Sequence, residues 1–245
     1  MTLELKNIEL TIQQREILKG VHLTINDGEF VSLVAPSGAG KSTILKVLTG
    51  LQAPSNGEVW LNQQKIVGLN QHFSYMPQDD LLLPWLSVYQ NVTLFQKINH
   101  LPINQEQVLA QLELFGLVDV RNFLPHQLSG GMKQRVALLR TMMNPAQHVL
   151  LDEPFGALDA MTRAKMQDWL LTVIQKVKKT TILVTHDIEE AIYLSHRLVV
   201  LTKRPAQVKK EFTIAPNKRT RQWLITQAAL KQEIQQLLVG EDDVN

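Results

Sequence analysis

The stretch Ala35–Thr43, which reads Ala-Pro-Ser-Gly-Ala-Gly-Lys-Ser-Thr, constrains the fold of this chain more than any other feature. The apolar run Phe30–Val34 precedes it and predicts a buried strand. Apolar residues follow it at helical spacing, namely Ile44, Leu45 and Leu48. The stretch is therefore a loop that joins a strand to the first turn of a helix. A helix start offers unpaired N–H groups and a partial positive charge, and both bind phosphate.

The residue types of this phosphate loop predict how it holds a nucleoside triphosphate. Small residues let the backbone wrap the phosphates, Lys41 reaches the β- and γ-phosphates, and the Ser42 hydroxyl binds Mg²⁺. The predicted nucleotide-binding residues are Pro36, Ser37, Gly38, Ala39, Gly40, Lys41, Ser42 and Thr43. The alternative is a glycine-rich turn that binds nothing, and the flanking strand and helix argue against it.

The first position of the loop departs from the usual pattern, because Ala35 stands where a glycine is common. A methyl group there costs on the order of 1 kcal/mol if the backbone needs a positive φ, and close to nothing if φ is negative. The φ angle of Ala35 therefore decides whether the departure matters.

Composition narrows the class of protein. With 245 residues, 44% of them hydrophobic and 20% charged, the chain is typical of a globular protein with a sizeable core. It contains no cysteine, which excludes disulfides and thiolate metal sites, and its net charge of +2 is too small to predict a nucleic-acid partner. The sequence has no signal-peptide pattern and no apolar run of about 18 residues, so we expect a cytoplasmic protein that meets membranes only through a partner.

Strand patterns alternate with helical ones along most of the chain. Residues 3–34 read as β structure, and further strand patterns lie at Val59–Leu61, Phe73–Met76, Val149–Leu151, Thr181–Thr185 and Leu198–Leu201. Residues 80–140 have helical character, and a last helix is predicted around Trp223–Leu238. Such alternation predicts an α/β fold with a mostly parallel sheet, interrupted by a helical insert.

Two carboxylates stand at the end of one predicted strand. Asp152 and Glu153 follow the apolar residues Val149–Leu151 directly. Ligands of α/β sheets gather at the carboxyl ends of strands, where the phosphate loop also lies. We therefore expect Asp152 to bind Mg²⁺ and Glu153 to orient and polarise the attacking water. The alternative is a solvated acid pair at a strand-end turn.

The most specific stretch is Leu128–Arg135, which reads Leu-Ser-Gly-Gly-Met-Lys-Gln-Arg. Ser129, Gly130 and Gly131 stand just before a helical run, which makes a second anion-binding helix start unless Ser129 is only a capping residue. Two such sites in one chain indicate that two copies complete each other's sites. On these residues the chain resembles the nucleotide-binding subunit of ABC transporters.

The resemblance covers nearly the whole chain and implies a P-loop NTPase core, an N-terminal antiparallel β subdomain and an inserted helical subdomain. As one ABC ATPase domain, residues 1–79 and 141–245 would form the nucleotide-binding core and residues 80–140 the helical subdomain. It implies ATP and Mg²⁺ as cofactors, and it implies that the signature Ser129–Gly131 of one subunit closes over the γ-phosphate held by the other.

The resemblance also assigns roles to single residues. Glu153, His186 and Gln78 would be catalytic, with His186 facing the γ-phosphate, and Ser42, Gln78 and Asp152 would hold Mg²⁺. Asp159 matches the loop that meets its mate across the dimer, although it could be only a helix N-cap. Asp187, followed by Glu190 three positions later, matches a capping box.

The segment Leu81–Val88, which contains Leu-Leu-Pro-Trp, is either a plug for the core of the insert or an apolar surface for a partner. In ABC transporters this region receives the transmembrane permease subunit. Together with Pro154–Asp159 and Ser195–Pro205, it resembles bacterial importers of nitrate, taurine, sulfonates and thiamine-precursor pyrimidines. The resemblance therefore implies a peripheral subunit on the cytoplasmic face of the bacterial inner membrane. A substrate-binding protein would act on it only indirectly, and the solute is not encoded in this chain.

Three points stay open at the level of sequence. Many relatives stack adenine on an N-terminal aromatic residue, but residues 1–29 contain none and the matching position falls near Ile12. The alternatives to an importer subunit are an ABC-type ATPase that acts on DNA or ribosomes and a regulator that binds nucleotide without hydrolysing it. A C-terminal group of basic residues is predicted to be a solvated face, with a membrane contact as the lesser alternative. Its members are Lys203, Arg204, Lys209, Lys210, Lys218, Arg219 and Arg221.

Overall fold

The computed structural model describes residues 2–214 and 219–239, and within these ranges the side chains of residues 174–177 are outside the description. Lys218 of the basic group is therefore outside the described residues. The strands are β1 (Thr2–Ile12), β2 (Arg15–Asn26), β3 (Phe30–Val34), β4 (Asn56–Leu61), β5 (Gln64–Ile66), β6 (Phe73–Met76), β7 (His148–Asp152), β8 (Thr180–Thr185), β9 (Arg197–Leu201) and β10 (Val208–Thr213). The helices are α1 (Lys41–Thr49), α2 (Val88–Val92), α3 (Leu94–Ile98), α4 (Gln105–Leu114), α5 (Gly130–Met142), α6 (Ala160–Val177), α7 (Ile188–Leu194), α8 (Arg221–Ile225) and α9 (Ala228–Val239), with a 3₁₀ turn at Pro125–Gln127.

The strands form two sheets, which confirms the predicted mixed α/β architecture. A four-stranded antiparallel sheet has the order β2-β1-β4-β5, and a six-stranded sheet has the order β10-β9-β3-β8-β7-β6. The second sheet is parallel except for β10, which pairs antiparallel with β9. The strands β3, β7 and β8 are buried at every residue, because both faces of this sheet are covered.

The phosphate-loop strand lies near the centre of the parallel sheet. Val31–Val34 pairs with β9 on one side, and Phe30–Val34 pairs with Thr181–Thr185 of β8 on the other. On one face, buried residues of β1 and β2 join the sheet and helix α1 in a common core. On the other face, a second core joins the sheet to the helices of the insert. This packing holds the carboxyl ends of the central strands in fixed positions.

The helical insert begins after β6 and ends in α5. Ser87 and Gln90 form a full capping box at the start of α2. The Asn104 side chain accepts a hydrogen bond from the Gln107 N–H and caps α4. Helix α5 continues to Met142, so it crosses the predicted boundary at residue 140, and the division of the chain into core and helical subdomain stays a prediction.

The sequence patterns missed two strands and part of the C-terminal architecture. β5 has only three residues and β10 is rich in lysine, so neither carries a clear apolar alternation. The predicted last helix is two helices, α8 and α9, because the chain leaves the helical path between Ile225 and Ala228. Both pack against α7 and the strands β3 and β9, through Ile234, Trp223 and Leu224. Within residues 2–214 and 219–239, no helix is both long and apolar enough to cross a membrane.

The prediction of a solvated basic face holds at Lys203, Arg204, Lys209 and Lys210, which are exposed, but it is wrong at Arg219 and Arg221. Arg221 donates to the Asp168 carboxylate at 2.7 Å and to the Ala164 carbonyl at 2.7 Å, and its guanidinium lies 4.1 Å from the centre of the Tyr193 ring. Burial lowers the pKa of Arg219, which donates to the Tyr193 carbonyl. These two residues attach the C-terminal segment to α6 and α7.

Candidate functional site

The phosphate loop forms a tight turn between β3 and α1. The Ala39 N–H donates to the Pro36 carbonyl at 3.2 Å, and Gly38 and Gly40 have φ angles of +74° and +113°. At Gly40 a glycine is required twice over, because φ is positive and an added Cβ would lie 3.1 Å from the Ile17 side chain. The loop therefore adopts the compact shape that the small residues predict.

Ala35 fits this turn without strain. It is buried, and its φ is not positive, so the methyl group carries none of the cost of a left-handed conformation. Its carbonyl oxygen accepts a hydrogen bond from the Lys41 ammonium at 2.7 Å. The φ angle of Ala35 therefore shows that alanine can replace glycine at the first position of the loop.

Lys41 lies folded over the loop that it follows. Its Nζ donates to the Ala35 carbonyl at 2.7 Å and to the Pro36 carbonyl at 3.1 Å. Burial lowers its pKa, whereas the nearby carboxylates of Glu153 and Asp152 oppose this shift. The ammonium group is therefore held by two uncharged acceptors in a largely buried position, close to two acids.

Ser42 and Asp152 form a pair of oxygen donors next to the loop. The Ser42 hydroxyl donates to Oδ1 of Asp152 at 2.9 Å, and the Tyr75 hydroxyl donates to Oδ2 at 3.4 Å. Burial raises the pKa of Asp152. Hydroxyl and carboxylate oxygens are the ligands that Mg²⁺ prefers, and this ion commonly takes few protein ligands plus phosphates and waters. The residues present therefore fit a magnesium ion.

Glu153 and His186 face each other at the ends of adjacent strands. Nδ1 of His186 lies 3.1 Å from a carboxylate oxygen of Glu153, and the Glu153 N–H donates to the Val184 carbonyl at 2.9 Å. Glu153 has a φ of +48°, which is uncommon for a residue with a side chain and is found often at functional sites. The structure thus brings Glu153 and His186 to the same edge of the sheet as Lys41, Ser42 and Asp152.

The remaining predicted residues lie apart from this group. Gln78 is exposed, two positions beyond the end of β6 at the same edge of the sheet. Ser129 and Gly130 are exposed at the start of α5, and the Ser129 hydroxyl accepts a hydrogen bond from the Met132 N–H at 3.3 Å. Asp159 accepts a hydrogen bond from the Thr162 N–H at 3.0 Å and caps α6, as its alternative role predicted.

Gln134 is a residue whose importance the motif alone did not reveal. It is buried, its Nε2 donates to the Glu153 carbonyl at 3.1 Å, and its Oε1 accepts from the Ala157 N–H at 2.7 Å. The side chain therefore ties the signature helix α5 to the segment 153–157. The only hint of this role in the sequence is that Gln134 lies within the signature stretch Leu128–Arg135.

The predicted capping box at α7 is only half present. The Asp187 carboxylate accepts a hydrogen bond from the Glu190 N–H at 3.1 Å, which caps the helix. The Glu190 carboxylate does not return to the Asp187 backbone, because it is buried and accepts from Nε2 of Gln167 at 3.2 Å. Burial, and secondly the charge of Asp187, raises the pKa of Glu190 to about 8.

This buried acid predicts a pH dependence of stability. The pKa of Glu190 rises from an ordinary 4.5 to about 8 in the folded chain, so between these values the folded state keeps a proton that the unfolded state has lost. Stability should therefore fall as pH rises through this window, by up to about 1.4 kcal/mol per pH unit, and then level off. We expect Glu190→Gln to flatten the decline, as measured by urea unfolding at several pH values.

The matched control is Glu113→Gln, which changes an exposed acid on α4. It should keep the wild-type slope between pH 5 and pH 8. A Glu190→Gln protein whose unfolding free energy declines as steeply as that of the wild type would contradict the assignment of the raised pKa to Glu190.

The phosphate loop lies at the carboxyl edge of a mostly parallel sheet, beside a strand that ends in Asp152. This arrangement defines a P-loop nucleotide-binding protein. The family model described as ABC transporter matches residues 18–156. The chain therefore belongs to the ABC transporter family, as an ATP-binding domain.

Similar proteins of known name come from several import systems. The chain is 38% identical to the formylaminopyrimidine import ATP-binding protein ThiZ of Halalkalibacterium halodurans, over 92% of this chain and 91% of that protein. It is 41% identical to the aliphatic sulfonates import ATP-binding protein SsuB 1 of Xanthomonas axonopodis pv. citri, over 92% of this chain and 90% of that protein. It is 39% identical to the taurine import ATP-binding protein TauB of Roseobacter denitrificans, over 81% of this chain and 75% of that protein.

Solved structures of the same fold agree with these relatives. The dimeric bacterial ABC transporter cassette MJ0796 superposes with a TM-score of 0.77 and 32% identity, covering 87% of this chain and 99% of that one. A post-hydrolysis state of the same cassette, dimeric and bound to ADP and phosphate, gives a TM-score of 0.78. These similarities confirm the predicted fold class.

Proposed function

We propose that this chain binds and hydrolyses ATP to energise a bacterial importer of a small solute. The observation that carries the proposal is the convergence of Lys41, Ser42, Asp152 and Glu153 at one edge of the parallel sheet, with Ser42 and Asp152 joined at 2.9 Å. Support for import comes from the relatives, which are named as import ATP-binding proteins for sulfonates, taurine and formylaminopyrimidine.

Each residue of the site receives a role in this proposal. The Ala39 and Thr43 N–H groups already donate within the loop, so the remaining backbone N–H groups of residues 37–42 and the Lys41 ammonium bind the phosphates of ATP. Ser42, Asp152 and Gln78 would hold Mg²⁺, which supplies charge neutralisation for the transferred phosphoryl group. Glu153 orients the attacking water and accepts its proton, and His186, held 3.1 Å from that carboxylate, lies where it can face the γ-phosphate.

The second half of the site would come from another copy of the chain. Ser129, Gly130 and Gly131 stand at the start of α5, exposed or partly exposed, so their N–H groups are open to an anion from outside the chain. Asp159 is likewise exposed and would meet the same loop of the partner. When the two subunits close over ATP, Gln134 would transmit this movement to the catalytic residue, because its side chain links α5 to the backbone of Glu153.

The helical subdomain, residues 80–140, would carry the contact with the membrane subunit. In the segment Leu81–Val88, Leu82 is buried at 8% exposure, whereas Leu81 and Trp85 are 62% and 70% exposed. The segment therefore does both things that its sequence allowed: Leu82 and Val88 pack into the core of the insert, and Leu81 and Trp85 form an apolar surface. We propose that this surface binds a transmembrane permease subunit at the cytoplasmic face of the inner membrane, with a substrate-binding protein acting only through the permease.

The proposed coupling is tested by affinity capture from detergent-solubilised membranes of the source organism. We expect the wild-type chain to recover a polytopic membrane protein, and the double variant Leu81→Ala/Trp85→Ala to recover it about tenfold less or worse, because exposed tryptophan is a common binding hot spot. ATP affinity and thermal stability of the isolated variant should stay unchanged.

A matched control is Val67→Ala/Leu69→Ala, which removes two comparably exposed apolar side chains, at 79% and 74% exposure, that lie outside residues 80–140. Equal recovery by both double variants would contradict the docking surface. Recovery of ribosomes or DNA, with no membrane protein, would instead favour the alternative of an ATPase that acts on nucleic acid or ribosomes.

A further inference from the structure

The connection between β9 and β10 places an arginine against the tip of the phosphate loop. Arg204 is exposed, and its Nη2 donates to the Gly38 carbonyl oxygen at 2.7 Å. A guanidinium group carries five N–H donors, and toward the part of the chain that the structure describes Arg204 uses one of them, in this bond. Most of its hydrogen-bonding capacity and its whole charge are therefore free beside the loop.

The connection that carries this arginine is itself held firmly. The Thr202 N–H donates to the Gln207 carbonyl at 3.0 Å, and the Gln207 N–H donates back to the Thr202 hydroxyl at 2.9 Å. The Ala206 N–H donates to the Ile17 carbonyl at 2.8 Å, and its carbonyl accepts from the Lys19 N–H at 3.1 Å. The connection is thus fastened to strand β2, and it presents the guanidinium from a fixed position.

The tip of the phosphate loop has little other support. Gly38 is exposed, and a Cβ added there would meet no atom within 4 Å. In a planar trans peptide, the Gly38 carbonyl and the Ala39 N–H point in opposite directions. Arg204 binds the first and the Pro36 carbonyl binds the second, so this peptide plane is held from both sides.

We infer that Arg204 is a positioning residue for nucleotide binding, a role that rests on the proposed binding of ATP by this loop. It keeps the Gly38 carbonyl turned outward, so that the carbonyl does not point at the phosphates, and it places a positive charge beside them. A loop ordered before the ligand arrives loses less entropy on binding, which raises affinity.

The test compares Arg204→Met, which removes donor and charge, with Arg204→Lys, which keeps both. ATP and ADP affinities are measured by titration calorimetry, and KM and kcat are measured for Mg²⁺-dependent hydrolysis. We expect Arg204→Met to raise Kd and KM about five- to tenfold, because an exposed charged hydrogen-bond donor is lost. The kcat should stay within about twofold of the wild-type value. Arg204→Lys should recover most of the affinity, and neither variant should change the melting temperature.

The matched control is Lys209→Met, because Lys209 also donates to a backbone carbonyl, that of Leu237 at 2.9 Å, but away from the phosphate loop. It should leave Kd and KM unchanged. Unchanged ATP affinity in Arg204→Met, or an equal loss in Arg204→Lys with a lower melting temperature, would overturn the role of Arg204 alone. Failure of the wild-type chain to bind ATP would overturn this role together with the proposed function.

Discussion

Glu153→Gln should abolish ATP hydrolysis while ATP binding survives. The substitution keeps the size of the side chain and its place at the end of β7, but it removes the carboxylate that would accept a proton from the attacking water. General-base catalysis contributes about 10²- to 10⁴-fold, so we expect turnover to fall at least about 100-fold. The Kd for ATP should stay within about twofold of the wild-type value, because Lys41 and the phosphate loop are untouched.

The structure offers a clean control for this variant. Glu58→Gln removes a partly exposed acid on β4 that pairs with Lys65 at 2.6 Å and belongs to the antiparallel sheet, not to the phosphate loop, and it should leave turnover unchanged. The backbone strain of the positive φ at position 153 is about the same for glutamine as for glutamate. Glu153→Gln should therefore melt at the wild-type temperature. Unchanged turnover in a folded Glu153→Gln protein would contradict the role of Glu153 in orienting and deprotonating the attacking water.

Ser129→Asp should prevent ATP-driven dimer formation and reduce hydrolysis about 100-fold or more. Aspartate caps helices as well as serine does, so helix α5 should remain intact. Its negative charge would, however, face the γ-phosphate of ATP bound to the partner subunit, and a like-charge contact of this kind costs several kcal/mol. In the background of Glu153→Gln, which we expect to bind ATP without hydrolysing it, gel filtration should show a dimer with Ser129 and a monomer with Ser129→Asp.

Ser87→Asp is the matched control, because the Ser87 side chain also caps a helix, accepting from the Gln90 N–H at 3.2 Å, and does not belong to the signature. It should leave the dimer and the turnover as they are. The Kd for ATP of the monomer should be the same in both serine variants. An ATP-dependent dimer that persists in Ser129→Asp would mean that the signature does not complete a second subunit's site.

Several elements were predictable because their signals are local. The strand β3 follows from five consecutive apolar or small residues, and the start of α1 follows from the loop that precedes it. The parallel sheet followed from the alternation of strands and helices. β5 and β10 were not predictable in this way, because a short or lysine-rich strand is stabilised by its sheet neighbours and not by its own pattern.

The C-terminal segment shows the same limit for charged residues. In sequence, Arg219 and Arg221 look like members of a solvated basic run. In the fold, Arg221 packs on Tyr193 and bonds to Asp168, residues that are 28 and 53 positions away. Such pairings depend on which elements pack together, so composition alone could not reveal them.

By itself, the sequence determined the family, the phosphate loop, the paired carboxylates Asp152 and Glu153 and the signature, because each is a short stretch whose residue types carry the chemistry. Only the tertiary structure decided that Ala35 is free of strain, that the Glu190 carboxylate is buried against Gln167, and that Arg204 meets Gly38 across 166 positions of sequence. Backbone angles, burial and long-range hydrogen bonds are set by the packing of distant segments. A local pattern cannot encode them.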